Sequence, residues 1–172
     1  MDPFATLGIA RSYRLDLAVV ERKHRELSRA LHPDAFVGAG PSERRAALAK
    51  AVEANEALRI VRDPILRAEA LLALSGMLAG EDAADAHAMA PEFLMDMLEQ
   101  REALAEAKRA RDLDSVRKMA GAIEARVQAV DVLLSERFAS GEFEGVAGKL
   151  GEMKFYRRFL DEVSAIEDEL AA

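Results

Sequence analysis

Two neighbouring segments, residues 16–31 and 42–62, carry apolar side chains at the spacing of one helix face. The stripe of the first segment consists of Leu17, Val20, His24, Leu27 and Leu31. The stripe of the second consists of Leu48, Ala51 or Val52, Asn55, Leu58 and Val61. Since only residues 32–41 separate the two segments, the pattern predicts an antiparallel helical hairpin, whose small alanines allow close approach.

Proline and glycine mark the other boundaries. Asp2-Pro3 and Asp63-Pro64 each place an N-cap residue before a proline at the first helical position. Pro41 and Pro91 also indicate helix starts. We expect helices at residues 3–8, 16–31, 42–62, 64–75, 91–110, 113–139 and 143–170, with a loop at residues 32–41.

The stretch from Ser75 to Ala90 contains Gly76, Gly80 and two aspartates, which is typical of a linker. The sequence therefore predicts a first domain at residues 1–75, a linker at residues 76–90 and a second domain at residues 91–172. The three long helices of the second domain are expected to form a bundle.

Composition agrees with an all-α fold, because aromatic residues make up only 5% of the chain and Ala, Leu, Glu and Arg dominate. Residues 1–72 hold 12 Lys+Arg and 10 Asp+Glu, whereas residues 73–172 hold 12 and 21. A mildly basic first part and an acidic second part predict two surfaces with different partners, and they argue against nucleic acid.

The chain has no cysteine, which excludes disulfides and thiolate metal sites within it. No apolar run approaches the roughly 20 residues that a membrane span needs. The helical pattern begins at residue 2 or 3 and leaves no room for a signal peptide. We therefore expect a cytoplasmic protein, of bacterial origin, with no membrane partner.

Catalytic, cofactor and metal sites find little support. His24 lies on an apolar stripe, His87 has no spaced partner in the linker, and His32 with Asp34 lacks a third ligand and a nucleophile. There is no glycine-rich phosphate loop, and the carboxylates are scattered. We predict no catalytic residue, no cofactor and no metal.

The tripeptide His32-Pro33-Asp34 lies directly after the basic helix of the hairpin. Pro33 fixes its own φ and disfavours a helical conformation at His32, so the helix must end there. Asp34 then presents a carboxylate that can pair with an arginine of a partner, and His32 can donate or accept a hydrogen bond. The alternative is a plain helix-terminating turn.

A basic stripe runs along the helix at residues 16–31. Arg22, Arg25 and Arg29 recur at i, i+3 and i+7, with Lys23 nearby. A solvated helix face would show the same pattern. The stripe ends beside His32-Pro33-Asp34, however, so both features would attract one acidic partner in a salt-sensitive way.

The helix at residues 91–110 carries two apolar stripes. Phe93, Met97 and Leu104 fall within about 40° of one another and suit a bundle core. Leu94, Met95 and Leu98 form a second stripe about 100–200° away, which predicts a second contact. A helix end buried between two others is the alternative interpretation.

A His-Pro-Asp loop at the tip of a hairpin, in a chain that opens Asp2-Pro3-Phe4-Ala5-Thr6-Leu7-Gly8-Ile9, resembles a J-domain. J-domains trigger ATP hydrolysis in DnaK-type chaperones. Two further motifs, Asp63-Pro64-Ile65-Leu66-Arg67-Ala68-Glu69-Ala70-Leu71-Leu72 and Phe93-Leu94-Met95 with Arg101-Glu102 downstream, narrow this to the HscB family of iron–sulfur co-chaperones. The resemblance covers nearly the whole chain.

The resemblance implies a J-domain and a three-helix scaffold-binding domain in a bent arrangement, and an activator of a partner ATPase rather than an enzyme. The implied partners are an HscA-like ATPase and the scaffold protein IscU. The implied chaperone-binding residues are His32, Pro33, Asp34, Arg22, Lys23, Arg25 and Arg29. The implied scaffold-binding residues are Leu94, Met95, Leu98, Glu99, Arg101, Glu102 and Phe155.

Three positions depart from the family pattern. Ala35 replaces the usual basic residue after His-Pro-Asp, which is expected to weaken the chaperone contact. His24 and Ala70 replace apolar or aromatic residues, which we interpret as local repacking. Two alternatives stay open: a J-domain protein with a different client, and a helical adaptor in which His-Pro-Asp is incidental.

Overall fold

The computed structural model describes residues 1–76 and 89–171, which are helices joined by short turns and contain no strand. The chain divides into two compact units, residues 1–78 and 79–172. The predicted all-α fold with two helical units is confirmed. Most of the predicted linker, together with His87, lies outside the described residues. Within the described ranges, no helix is long and apolar enough to cross a lipid bilayer.

The first unit contains α1 (Pro3–Leu7), α2 (Leu17–Ala30), a 3-10 helix (Pro33–Phe36), α3 (Pro41–Arg62) and α4 (Pro64–Leu74). Three of these helices start at an aspartate whose side chain accepts hydrogen bonds from the first turn: Asp2, Asp16 and Asp63. These caps satisfy amides that have no partner within the helix. The 3-10 helix falls inside the segment that we expected to be a loop.

The core of the first unit lies at the end of the hairpin away from the 3-10 helix. One cluster of buried residues there consists of Phe4, Leu7, Val20, Ala57 and Val61. Partly buried neighbours from the following turns and from α4 surround them: Ile9, Leu15, Leu58, Ala70, Leu71 and Leu74. Burying these side chains drives α1 and α4 onto the base of the α2–α3 hairpin.

The predicted packing face of α3 is wrong in part. Four residues of the predicted stripes are exposed: Leu17 on α2, and Leu48, Val52 and Asn55 on α3. Leu48 and Val52 expose 63% and 60% of their surface, whereas Ala47, Ala54 and Val61 are buried. These three recur every seven residues on one face of α3. Alanine occupies two of these three positions, and its small side chain lets the neighbouring helices approach closely.

His24 joins α2 to α3. Its Nε2 lies 2.9 Å from the Asn55 side-chain oxygen and 3.4 Å from the Ser28 hydroxyl. His24 and Asn55 occupy positions of the two predicted stripes and join the helices of the hairpin. His24 is half-buried there. His24 therefore packs within the hairpin.

The second unit is the predicted three-helix bundle, formed by α5 (Pro91–Ala110), α6 (Leu113–Ser140) and α7 (Val146–Ala171). Asp112 caps α6, and Gly141 ends it with a φ of 75°. The helix expected from residue 143 begins three residues later, because Gly145 adopts a φ of 73° that no α-helix contains. The bundle core consists of Met97, Leu104, Ala107, Val116, Ile123, Val130, Leu134, Val146, Leu150, Met153, Tyr156, Phe159, Val163 and Ile166.

Ion pairs between the helices give their directions. Arg101 pairs with Glu162 at 3.9 Å and Lys108 pairs with Glu169 at 2.7 Å. From the first pair to the second, the residue number rises on both helices, so α5 and α7 run in the same direction. The connection through α6 is antiparallel to both helices.

Candidate functional site

The His32-Pro33-Asp34 segment forms the first turn of the 3-10 helix. His32 is its N-cap in an extended conformation, and the His32 carbonyl accepts a hydrogen bond of 2.9 Å from the Ala35 amide. The His32 Nδ1 accepts a hydrogen bond of 3.3 Å from the Asp34 amide. In this arrangement the neutral ring carries its proton on Nε2, where it can donate to a partner.

The three side chains of this tripeptide are exposed. The Asp34 carboxylate lies 3.4 Å from His32 Nδ1, and its side chain is 87% exposed. Neither residue contributes to the core at the base of the hairpin. The loop thus holds a carboxylate and an imidazole in solvent on a fixed backbone, which suits contact with a partner.

The basic residues of α2 are exposed as well, but their charges are not equally available. Arg25 lies 3.8 Å from Glu21 and Lys23 lies 3.9 Å from Glu26, both at surface ion-pair distances. Arg22 and Arg29 have no carboxylate within ion-pair distance among the described residues. Seven positions apart, they share one face of α2, and Arg29 lies one turn before the 3-10 helix.

Ala35 is exposed within the 3-10 helix, between Asp34 and the half-buried Phe36. A longer side chain at this position would extend into solvent. The absence of a basic residue here therefore costs the fold nothing and removes only a positive charge from this surface.

The second predicted surface lies on the first turns of α5. Leu94, Met95 and Leu98 expose 43%, 57% and 51% of their surface. Met97 and Leu104 are buried, in agreement with the predicted core stripe. The two apolar stripes of α5 are thus separate, and the bundle covers only one of them.

Phe93 connects this region of α5 to α7. Its ring contacts Phe155 edge to face, with centroids 5.8 Å apart, and Tyr156 with centroids 5.6 Å apart. Phe155 is half-buried, whereas Tyr156 belongs to the core. Phe155 therefore lies at the border between core and surface.

The position of α7 decides which α5 residues lie beside Phe155. At about 100° per residue, Arg101 is turned about 80° from Phe93, in the direction of its partner Glu162 on α7. Leu94 and Leu98 are turned about 100° and 140° in the same sense. Leu94, Leu98 and Phe155 therefore share the α7 side of the bundle.

The predicted polar residues border this surface. Glu99, Glu102 and Glu162 contribute to one groove along α5 and α7. Arg101 forms its 3.9 Å ion pair with Glu162 at the edge of the groove. The border next to the apolar residues thus carries Glu99 and Glu102 with the paired Arg101, and farther along α5 the groove is also lined by Lys108 and Arg109.

A polar network fixes the first turns of α5. Asp96 forms a bidentate ion pair with Arg126 of α6. The hydrogen bond from Arg126 to Asp96 raises the pKa of the arginine. Burial raises the pKa of Tyr156, and nearby Glu152 adds to that increase, while a hydrogen bond with Arg126 opposes it. The network links α5, α6 and α7 at the level of the first turns of α5.

Sequence analysis missed Asp96 and Arg126 in this network, and it missed Arg158, whose guanidinium carbon lies 5.9 Å from the centre of the Phe155 ring. Asp96 carried a signal, because it falls about 60° from Phe93 on the other side of the core stripe. Arg158 carried none. In residues 1–76 and 89–171, no three metal-ligating side chains come together.

Comparison with known families matches residues 89–164 to the model described as the HSCB C-terminal oligomerisation domain. The co-chaperone protein HscB homolog of Haemophilus influenzae is 30% identical over 171 residues, covering 98% of this chain and 97% of the relative. The homolog of Cupriavidus taiwanensis is 33% identical over 169 residues, covering 98% and 95%.

Solved structures agree with these relatives. The chaperone HscB from Vibrio cholerae superposes with a TM-score of 0.86 at 27% identity and covers 99% of both chains. The human co-chaperone protein HscB superposes with a TM-score of 0.85 at 24% identity, covering 96% of this chain and 81% of the other. The human likeness shows the fold alone.

Proposed function

Because the chain belongs to the HscB family of co-chaperones, we propose that it stimulates ATP hydrolysis by an HscA-like chaperone and delivers an IscU-like scaffold protein to it. The J-domain corresponds to residues 1–75 and the scaffold-binding domain to residues 91–172, joined by a linker at residues 76–90. The chain acts on an ATPase and is not itself an enzyme. A cytoplasmic site of action is part of the same proposal.

The observation that carries the proposal is the presence of two exposed surfaces of different chemistry on separate units. The first has His32 and Asp34 in solvent and, on the preceding helix α2, the exposed Arg22 and Arg29, which have no carboxylate partner among the described residues. A surface of this kind favours an acidic partner that also offers an arginine for Asp34. This matches the expected chaperone-binding set, completed by Pro33, Lys23 and Arg25.

The second surface is apolar with an acidic border. The exposed surface of Leu94, Met95 and Leu98 would be removed from water by a partner, and that burial favours binding. Glu99, Arg101 and Glu102 form the border, which contributes specificity more than affinity. Phe155 extends the surface onto α7.

The two proposed binding sites are joined in one chain, which brings the two partners together. Scaffold bound to the second unit is held at a high effective concentration near a chaperone bound to the first. The chain therefore couples hydrolysis to the presence of client. Neither site would achieve that coupling alone.

The test is steady-state ATP hydrolysis by the HscA-like chaperone of the same organism, with this chain, with the scaffold protein, and with both. We expect this chain to raise the rate alone, and the pair to raise it beyond the product of the separate effects. Stimulation without any added effect of the scaffold would point to a different client. No stimulation would leave a helical adaptor as the interpretation.

A further inference from the structure

Arg158 lies on the same side of α7 as the exposed apolar surface. At about 100° per residue, Arg158 and Glu162 are turned about 60° and 20° from Phe155, so the three form one column on α7. The ends of the column face known positions of α5, since Phe155 contacts Phe93 and Glu162 pairs with Arg101.

The level of Arg158 along the bundle follows from these two contacts. The parallel helices α5 and α7 meet at Phe93–Phe155 and again at Arg101–Glu162. Arg158 lies between these contacts on α7, as Leu98 does on α5. Arg158 and Leu98 are therefore at about the same level along the bundle, on the neighbouring helices α7 and α5.

The charge of Arg158 is available. Its guanidinium lies over the Phe155 ring at 5.9 Å, and no carboxylate pairs with it among the residues that the structure describes. Its neighbours differ in this respect, because Arg101 and Arg126 both have carboxylate partners. The contact with Phe155 restricts the position of the cation without neutralising it.

We propose that Arg158 is a specificity-determining residue of the scaffold-binding surface, and that the scaffold segment covering Leu94, Leu98 and Phe155 carries a carboxylate that pairs with Arg158. The proposal rests on the proposed function and names the chemistry of the partner segment. A planar guanidinium stacked on an aromatic ring offers two parallel donors to one carboxylate. Because Arg158 lies beside the apolar residues and is not neutralised by a carboxylate among the described residues, an apolar segment with one correctly placed acid would be selected over one with none.

The experiment measures the affinity of the scaffold protein of the same organism, without its cluster, for four variants by calorimetric titration. The variants are Arg158→Glu, Arg158→Lys, Lys118→Glu and the triple replacement of Leu94, Met95 and Leu98 by alanine. Lys118 is the matched control, because it is an exposed cation on α6 of the same unit with no carboxylate partner among the described residues. All these side chains are exposed, and circular dichroism checks that each variant is folded.

We expect Arg158→Glu to lower the affinity about tenfold or more, and Arg158→Lys to lower it by less than that. Lys118→Glu should bind like the parent chain. Equal losses for the two glutamate variants would show a general charge effect and overturn the pairing. An unchanged affinity for Arg158→Glu, with a loss for the triple variant, would overturn the role of Arg158 and leave the proposed function standing. If neither binds less tightly, the scaffold surface itself is wrong.

Discussion

Arg67 Nη1 donates a hydrogen bond of 2.9 Å to the carbonyl oxygen of Val61, across the joint between α3 and α4. Carbonyls in the last turn of a helix have no partner within it, so the arginine satisfies one of them. The Arg67 guanidinium also lies 5.0 Å from the centre of the Tyr13 ring. A buried cation thus ties the loop before α2 to the α3–α4 joint.

These contacts of Arg67 explain one residue of the motif Asp63-Pro64-x-x-Arg67-Ala68, and the other three residues act at the same joint. Asp63 accepts hydrogen bonds from the first amides of α4, Pro64 occupies the first helical position, and Ala68 is fully buried. Each member of the motif shapes the joint. The motif that marks the family in sequence therefore has a structural role at this joint.

Replacing Arg67 by alanine should lower the free energy of unfolding of the first unit by about 1–3 kcal/mol, because the buried Val61 carbonyl loses its donor. Urea denaturation followed by circular dichroism measures the change. Arg62→Ala is the matched control. Arg62 lies on the same joint but is exposed and forms a surface ion pair with Glu21, so we expect a change within about 0.5 kcal/mol. Equal losses for the two variants would contradict a special role of Arg67.

The extent of successful prediction differs between elements for a physical reason. Helix starts were accurate where a cap is encoded locally, as at Asp63-Pro64 and Asp2-Pro3. The packing face of α3 was not, because Leu48 and Ala47 are both apolar and only the packing of α3 against its neighbours decides between them. Tertiary packing selected the smaller side chain.

The same limit applies to the second unit. The exposed stripe of Leu94 and Leu98 was predictable, since helical spacing separates it from Met97. The position of Arg158 beside this stripe was not predictable, because it depends on how α7 lies against α5, which the spacing within one helix does not contain.

His32→Gln and Asp34→Asn should each abolish stimulation of the chaperone's ATPase while the chain stays folded. Both side chains are in solvent and away from the core, so their loss removes a contact and not packing. ATP turnover and far-ultraviolet circular dichroism on the same samples provide the measurement. Full stimulation by either variant with an unchanged spectrum would refute the assignment of a functional J-domain.

Arg22→Ala and Arg29→Ala should each slow association with the chaperone more than Arg25→Ala does. The charge of Arg25 is already shared with Glu21 at 3.8 Å, whereas the other two have no such partner among the described residues. Replacing all three should have the largest effect. Added salt should lower the association rate of the parent chain toward the rate of that triple variant. Stopped-flow association at low and high salt tests this. Rates that do not depend on salt would rule out electrostatic steering.

Gly121→Ala should stabilise the second unit by about 0.5–1 kcal/mol. Gly121 lies inside α6, and a Cβ added there meets no atom within 4 Å. Gly141→Ala is the opposite case, since Gly141 ends α6 with a φ of 75° that strains any L-residue with a side chain. Thermal melts should therefore shift in opposite directions. A loss of stability in Gly121→Ala would mean that α6 is not helical at that position.

Replacing Leu94, Met95 and Leu98 together by alanine should weaken scaffold binding without reducing basal stimulation of the chaperone's ATPase. These side chains are about half exposed, and a fully buried Leu or Met contributes on the order of 1.5–3 kcal/mol. Burying the exposed halves would then account for about a hundredfold in affinity. Val132→Ala is the matched control, an apolar residue of α6 that is 52% exposed and lies outside this surface. Scaffold titration and thermal melting on the same variants decide between surface and core. A loss of several kcal/mol in the free energy of unfolding would show that the three residues hold the bundle together. An unchanged melting temperature with unchanged scaffold affinity would refute the scaffold site.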